Sequence, residues 1–142
     1  MRGAAVLVLG LLAGCAGVKT YPTNAAGNVT LRADLDPNVR AALHVHAVER
    51  NCETQYQGGV ALQLGSTVVE IPADRLSYLV VTFDTSSFLR GSASASVGTL
   101  LTPRPGQRYE LALSYRANLY DIRLREAGRE LSLRDLRSCR GA

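Results

Sequence analysis

The chain has 142 residues, 46% of them hydrophobic, and this length suits one domain with a single core. Sixteen basic residues stand against twelve acidic ones, and the formal net charge of +4 is too small to predict nucleic-acid binding. The chain has only two histidines, which excludes metal sites built from three or more imidazoles.

The first fourteen residues have the pattern of an export signal. Arg2 precedes the apolar run 4–12, and the small residues Ala13 and Gly14 follow it. An apolar run of this length is too short to cross a bilayer, which takes about 20 residues. We therefore expect residues 1–14 to be a signal peptide that is removed, rather than a transmembrane helix.

The residues Leu12, Ala13, Gly14 and Cys15 resemble the lipobox of bacterial lipoproteins. The resemblance implies that Cys15 carries lipid and becomes the first residue of the mature chain. Several acyl chains anchor a protein firmly, whereas one chain alone gives marginal binding. In this class Ala16, in place of Asp, implies the outer membrane, with the domain facing the periplasm. The alternative is ordinary signal cleavage after Ala16.

The cysteine count agrees with this interpretation. If Cys15 carries lipid, Cys52 and Cys139 remain, and an oxidising compartment favours a disulfide between them. The alternative is a pair of buried free thiols.

Residues 15–27 are small and polar, contain Pro22 and have no hydrophobic period. We expect this segment to hold the lipidated Cys15 and to form a flexible tether. The folded domain is then expected over residues 28–142.

From residue 28 onward the hydrophobic pattern has a period of two, which is typical of strands with one buried and one solvated face. The predicted strands are residues 28–35, 42–49, 60–64, 67–71, 77–84, 108–115, 120–125 and 130–133. The Ser/Ala-rich stretch 90–101 fits either a strand or an exposed loop. Residues 133–139 fit one helical turn.

Turn residues separate these runs, and residues 126–129 between the last two indicate a β-hairpin. Short strands at this spacing, without a long amphipathic helix, predict an all-β fold: an antiparallel β-sandwich of seven or eight strands. The pattern resembles small immunoglobulin-like or transthyretin-like domains. This likeness concerns architecture and implies no activity.

His44 and His46 are the candidate metal ligands. Histidines two apart on a strand project from the same face, so both imidazoles can reach one copper or zinc ion. The segment HVHAVERNC resembles part of the copper/zinc superoxide dismutases, exported β-sandwiches with a His-x-His copper pair and a disulfide. The resemblance implies copper ligation by His44 and His46 and a bond between Cys52 and Cys139. That family needs further histidines, so dismutase activity is excluded.

A weaker metal site needs a third ligand, for which Glu49 and Asp84 are the carboxylates considered. The opposite interpretation is that both histidines are solvent-facing residues on a strand. The chain has no Gly-x-Ser-x-Gly motif, and no carboxylate spacing indicates an acid/base pair. We therefore expect no enzyme and no cofactor, although residues that converge only in the fold leave an active site open.

The C-terminal part carries an excess of arginine. Seven arginines stand against four carboxylates in residues 116–142. The candidate interface residues are Arg116, Arg123, Arg125 and Arg129, which could meet lipopolysaccharide phosphates, membrane headgroups or an acidic protein. The alternative is a solvated sheet face with interspersed ion pairs.

Aromatic residues are predicted mainly as core. Tyr109, Tyr115 and Tyr120 alternate on two strands, which favours core or cross-strand packing over a binding groove. Phe83 and Phe88 are likewise expected in the core.

The sequence thus predicts a non-catalytic cell-envelope lipoprotein, held at the outer membrane by its N-terminal lipid, without nucleic-acid or cofactor binding. Its expected partner is an envelope protein or an anionic glycolipid. The alternative function is copper or zinc binding by His44 and His46.

Overall fold

The structure is a computed structural model that describes residues 18–62, 64–87, 89 and 91–141. The predicted signal peptide, Cys15 and Phe88 lie outside the described residues. Within them the chain forms nine strands and one short 3-10 helix. These elements are β1 (Val29–Leu35), β2 (Val39–Val48), β3 (Thr54–Leu62), β4 (Gly65–Val69), β5 (Ser77–Ser87), β6 (Gly91–Leu101), β7 (Tyr109–Arg116), β8 (Leu119–Glu126), β9 (Arg129–Leu131) and the helix Leu136–Gly141.

The strands form two sheets, and the prediction of an all-β sandwich is confirmed. One sheet has five strands in the order β4-β1-β7-β8-β9, and the other has four in the order β3-β2-β5-β6. The pairs are antiparallel except β1 and β7, which run parallel. The Ser/Ala-rich stretch, for which the sequence allowed either a strand or a loop, forms strand β6.

The predicted alternation accounts for the core between the sheets. In β5 the side chains of Leu79, Val81 and Phe83 are fully buried, while the residues between them lie on the outer face. Tyr109 and Tyr115 of β7 are buried as predicted. Tyr120 is 46% exposed and contacts Phe83 and Tyr115, with ring centroids 5.6 and 6.2 Å away.

From Lys19 onward, the segment predicted as a flexible tether forms hydrogen bonds with the folded domain. The Tyr21 amide donates to the Gly59 carbonyl over 2.8 Å, and the Gly59 amide donates to the Lys19 carbonyl over 2.9 Å. The Asn24 amide donates to the Val68 carbonyl over 2.8 Å. This N-terminal segment therefore covers the outer edges of β3 and β4. Its hydrogen bonds to β3 and β4 are made by the backbone, and side-chain periodicity does not reveal such bonds.

Residues 132–141, here called the C-terminal strap, close the opposite side of the sandwich. The Leu100 amide donates to the Arg134 carbonyl over 2.7 Å, and the Arg134 amide donates to Oγ1 of Thr99 over 3.1 Å. Near its end the strap is held by the disulfide between Cys139 and Cys52, whose Cα atoms are 6.0 Å apart. The structure therefore contains the disulfide that the cysteine count predicted. In the described part of the chain, no helix is long and apolar enough to cross a membrane.

Candidate functional site

A cleft of about 380 Å³ opens between β6, β9 and the strap, at the end of the sandwich that carries the disulfide. Its apolar wall includes Leu100, Leu124 and Leu131. Its polar lining consists of Thr102, Arg104, Tyr109, Glu126, Arg129, Ser132 and Arg134. We call this site the Glu126 cleft, because a buried carboxylate organises it.

Glu126 occupies the last inward-facing position of β8 and is only 6% exposed. Its Oε1 accepts hydrogen bonds from the Tyr109 hydroxyl at 2.8 Å and from Nε of Arg104 at 3.1 Å. Its Oε2 accepts from Nη2 of Arg104 at 2.5 Å and from Nη2 of Arg129 at 3.4 Å. These bonds satisfy a carboxylate that would otherwise be costly to bury.

The hydrogen bonds hold Glu126 in its ionised form. The Arg104 guanidinium, followed by the Tyr109 hydroxyl, lowers the pKa of the Glu126 carboxyl below its usual value. A general acid at neutral pH needs a raised pKa instead. Glu126 is therefore suited to orienting its arginine neighbours and not to donating a proton.

Positive charge exceeds negative charge in the cleft, because Arg104, Arg129 and Arg134 line it together with one carboxylate, that of Glu126. Arg104 and Arg129 have exposed side chains whose guanidinium groups are held at one end by Glu126. Arg134 has no ion-pair partner among the described residues. Guanidinium groups bind carboxylate and phosphate oxygens in a bidentate manner, so this arrangement can hold an anionic group.

The structure divides the four arginines predicted as an interface. Arg116, Arg123 and Arg125 lie on the outer face of the five-stranded sheet, where each has a carboxylate partner, and only Arg129 reaches the cleft. The partners are Asp34 and Asp36 for Arg116, Asp121 for Arg123 and Glu110 for Arg125. Positive charge on this face is thus balanced by carboxylates, of which Asp34 and Asp36 are distant in sequence from Arg116.

The two histidines lie on the outer face of the four-stranded sheet, as the alternation predicted. Nδ1 of His44 is 3.3 Å from the Tyr56 hydroxyl, and its Nε2 is 3.2 Å from Oγ1 of Thr82. The His46 ring lies between Tyr56 and Tyr78, with ring centroids 5.2 and 6.2 Å away. No group of three or more potential ligands assembles within the described residues, so the copper or zinc alternative has two imidazoles and no third ligand there.

Burial lowers the pKa of the His46 imidazole below its usual value, and the nearby His44 contributes in the same direction. Both effects favour the neutral form of the ring. His46 is consequently a candidate for a pH-dependent contribution to stability.

Sequence reasoning missed Arg104 and Glu126. Glu126 did give a signal, since it continues the inward-facing series of Ile122 and Leu124 and places a carboxylate where an apolar residue is expected. Arg104 lies in a proline-rich turn and gave no comparable signal. Its role depends on the distance between that turn and the end of β8.

No protein-family model matches this sequence, and a search of curated proteins finds no match either.

Proposed function

We propose that the protein is a non-catalytic binding module of the bacterial cell envelope, anchored to the outer membrane by lipid on Cys15. Its Glu126 cleft binds one anionic group of an envelope glycolipid. The observation that carries this proposal is the set of three arginines that line a cleft with a single buried carboxylate, two of which are hydrogen-bonded to that carboxylate. The lipobox resemblance of residues 12–15 supports the location.

The cleft suits an anion attached to an apolar body. Arg134, which has no ion-pair partner among the described residues, lines the cleft together with the apolar residues Leu100 and Leu131. An apolar wall lowers the local dielectric and strengthens the attraction between guanidinium and phosphate. A phosphorylated glycolipid such as lipopolysaccharide carries both chemical features.

The short distance between the anchor and the domain supports the same function. Val18 precedes the hydrogen bonds of Lys19 and Tyr21 and is three residues from Cys15. Three residues span at most about 10 Å. Lipid on Cys15 would therefore hold the domain within a thin layer at the membrane, where a weak interaction of the cleft suffices.

The test is calorimetric titration of the full-length lipoprotein, in non-ionic detergent, with purified lipopolysaccharide. Arg134→Ser should weaken binding about tenfold, because a hydrogen bond to a charged group contributes about 1.5–3 kcal/mol. Arg40→Ser is the matched control: Arg40 is also exposed and without an ion-pair partner in the described residues, but it lies at the start of β2. Affinity should fall with added salt. Equal affinities of the Arg134→Ser variant and the unmodified protein would contradict the proposal.

A further inference from the structure

The two sheets have four edge strands, and they differ in how their edges are covered. The N-terminal segment pairs with Gly59 of β3 and with Val68 and Val69 of β4. Strand β9 has only three residues and leads directly into the strap. Strand β6 has 11 residues; the strap forms hydrogen bonds with it at Thr99 and Leu100, and the 3-10 helix that follows also contacts it.

The backbone of β6 shows which residues face the open edge. The Leu100 amide donates to the strap, so the amides and carbonyls of even-numbered residues point away from β5. The Ala93 carbonyl accepts from Oγ1 of Thr85, which agrees with odd-numbered residues facing β5. Among the described residues, the backbone groups of Ser92, Ser94 and Ser96 on this edge have no backbone partner.

Strand β6 lacks the features that usually protect an edge. Residues 91–101 contain no charged residue and no proline. The pairing of β6 with β5 continues from Leu101 to Gly91 without a register shift, so no bulge twists the edge away. An edge of this length without charges, proline or a bulge is a template for pairing with another strand.

We propose that β6 pairs antiparallel with β6 of a second copy of this chain, on a twofold axis at Ser94. The sequence is self-complementary about this residue, since Ser92 then faces Ser96 and Ala93 faces Ala95. The even-numbered residues that face each other are those whose backbone groups point outward. Three facing pairs, each exchanging two bonds, give about six hydrogen bonds between the copies.

The small side chains favour this partner over a different protein. Serine and alanine allow the two strands to approach without steric conflict, and facing serines can form hydrogen bonds across the strands. These side chains offer no large pocket to select a different sequence. The pairing joins two four-stranded sheets into one continuous sheet, and it does not depend on the function proposed for the Glu126 cleft.

The first experiment is disulfide trapping in the full chain with Cys15→Ser, so that the introduced thiol is the only one besides the Cys52–Cys139 disulfide. Ser94→Cys should form a covalent dimer under mild oxidation, because facing Cα atoms about 5.5 Å apart suit a disulfide. Ser92→Cys is the matched control. Its two copies lie four residues apart along the strand, about 14 Å, and should not link. A mixture of Ser92→Cys and Ser96→Cys should link.

The second experiment is sedimentation equilibrium of the full chain in non-ionic detergent. Ser94→Pro removes an amide that points away from β5, so the fold is retained and the dimer dissociation constant should rise at least tenfold. Ser94→Lys, which places two like charges on the axis, provides the same readout if proline perturbs β6. A monomer at every concentration, equal linking of Ser92→Cys and Ser94→Cys, or a dimer unaffected by both Ser94 variants would overturn the proposal.

Discussion

Tyr109 and Glu126 face each other across β7 and β8, and the Tyr109 hydroxyl donates to Oε1 of Glu126 over 2.8 Å. The same oxygen accepts from Nε of Arg104, so one buried carboxylate joins the β7–β8 pair to the turn after β6. The cleft is therefore organised by the same contacts that hold this end of the sandwich together. Glu126 therefore holds Arg104 and Arg129 in place before any ligand binds.

Glu126→Gln should lower stability at neutral pH and change its dependence on acid. The folded-state pKa of Glu126 is lowered, so its ionised form stabilises the fold above the unfolded-state pKa near 4.5. This contribution is lost as pH falls from that value through the lower folded-state pKa. Denaturant unfolding should show, in the unmodified protein, the additional stability at neutral pH and its loss in steps below pH 5. The Glu126→Gln variant should lack both the additional stability and this loss.

The control is Glu130→Gln, the same chemical change on β9 at an exposed carboxylate without an ion-pair partner in the described residues. It should leave the unfolding midpoint almost unchanged. The Glu126→Gln variant should still bind lipopolysaccharide, because the carboxylate that it lacks repels an anion. An unchanged free energy of unfolding at neutral pH in the Glu126→Gln variant would contradict the stabilising role of Glu126.

The disulfide should contribute strongly to stability. Cys52 and Cys139 are 87 residues apart in sequence, and the chain-entropy model puts the effect of closing such a loop at about 4.5 kcal/mol. The Cys52→Ser/Cys139→Ser double variant should lose up to this amount in denaturant unfolding. The double variant should also bind lipopolysaccharide less tightly, because the strap that it releases carries Arg134. A loss below about 1 kcal/mol would mean that the strap is held by its other contacts.

Alternation predicted most of the strands because each strand buries one face. Predicted residues 28–35 and 77–84 correspond to β1 (Val29–Leu35) and to most of β5 (Ser77–Ser87). The parallel pairing of β1 with β7 could not be predicted this way, because periodicity states which face is buried and not which strand is adjacent. The same pattern would fit an antiparallel neighbour.

The candidate site was less accessible to prediction for a related reason. The ion pair between Arg116 and Asp34 joins residues 82 positions apart, and the contact of Arg104 with Glu126 joins residues 22 positions apart. A count of arginines along the sequence therefore indicated a positive face where the fold places balanced pairs. Only the three-dimensional arrangement separates Arg129 and Arg134 of the cleft from those pairs.

Tyr21 should anchor the N-terminal segment. Its side chain is 9% exposed, and its hydroxyl donates to the Glu70 carbonyl over 2.5 Å. Tyr21→Ala removes a buried ring and should cost about 2–4 kcal/mol in denaturant unfolding. Val18→Ala is the control, since Val18 is 84% exposed and its loss should have almost no effect. Equal stability of the two variants would show that residues 18–24 contribute little to the fold.

His46 should make stability depend on pH in the range where imidazoles titrate. Its folded-state pKa lies below the unfolded value of about 6.5, because burial and the nearby His44 disfavour the charged ring. Below pH 6.5 the unfolded chain binds a proton that the folded chain resists. This contribution to stability is therefore complete above pH 6.5 and declines as pH falls through the folded-state pKa.

The measurement is NMR titration of the His46 ring combined with denaturant unfolding at successive pH values. His46→Gln should remove the decline, and His44→Gln should raise the His46 midpoint towards 6.5, because it removes the neighbouring charge while burial persists. Since burial is the larger cause, most of the lowering should survive in the His44→Gln variant. A His46 midpoint above 6.5 would contradict the burial argument, and a midpoint restored fully to 6.5 by His44→Gln would assign the effect to charge instead.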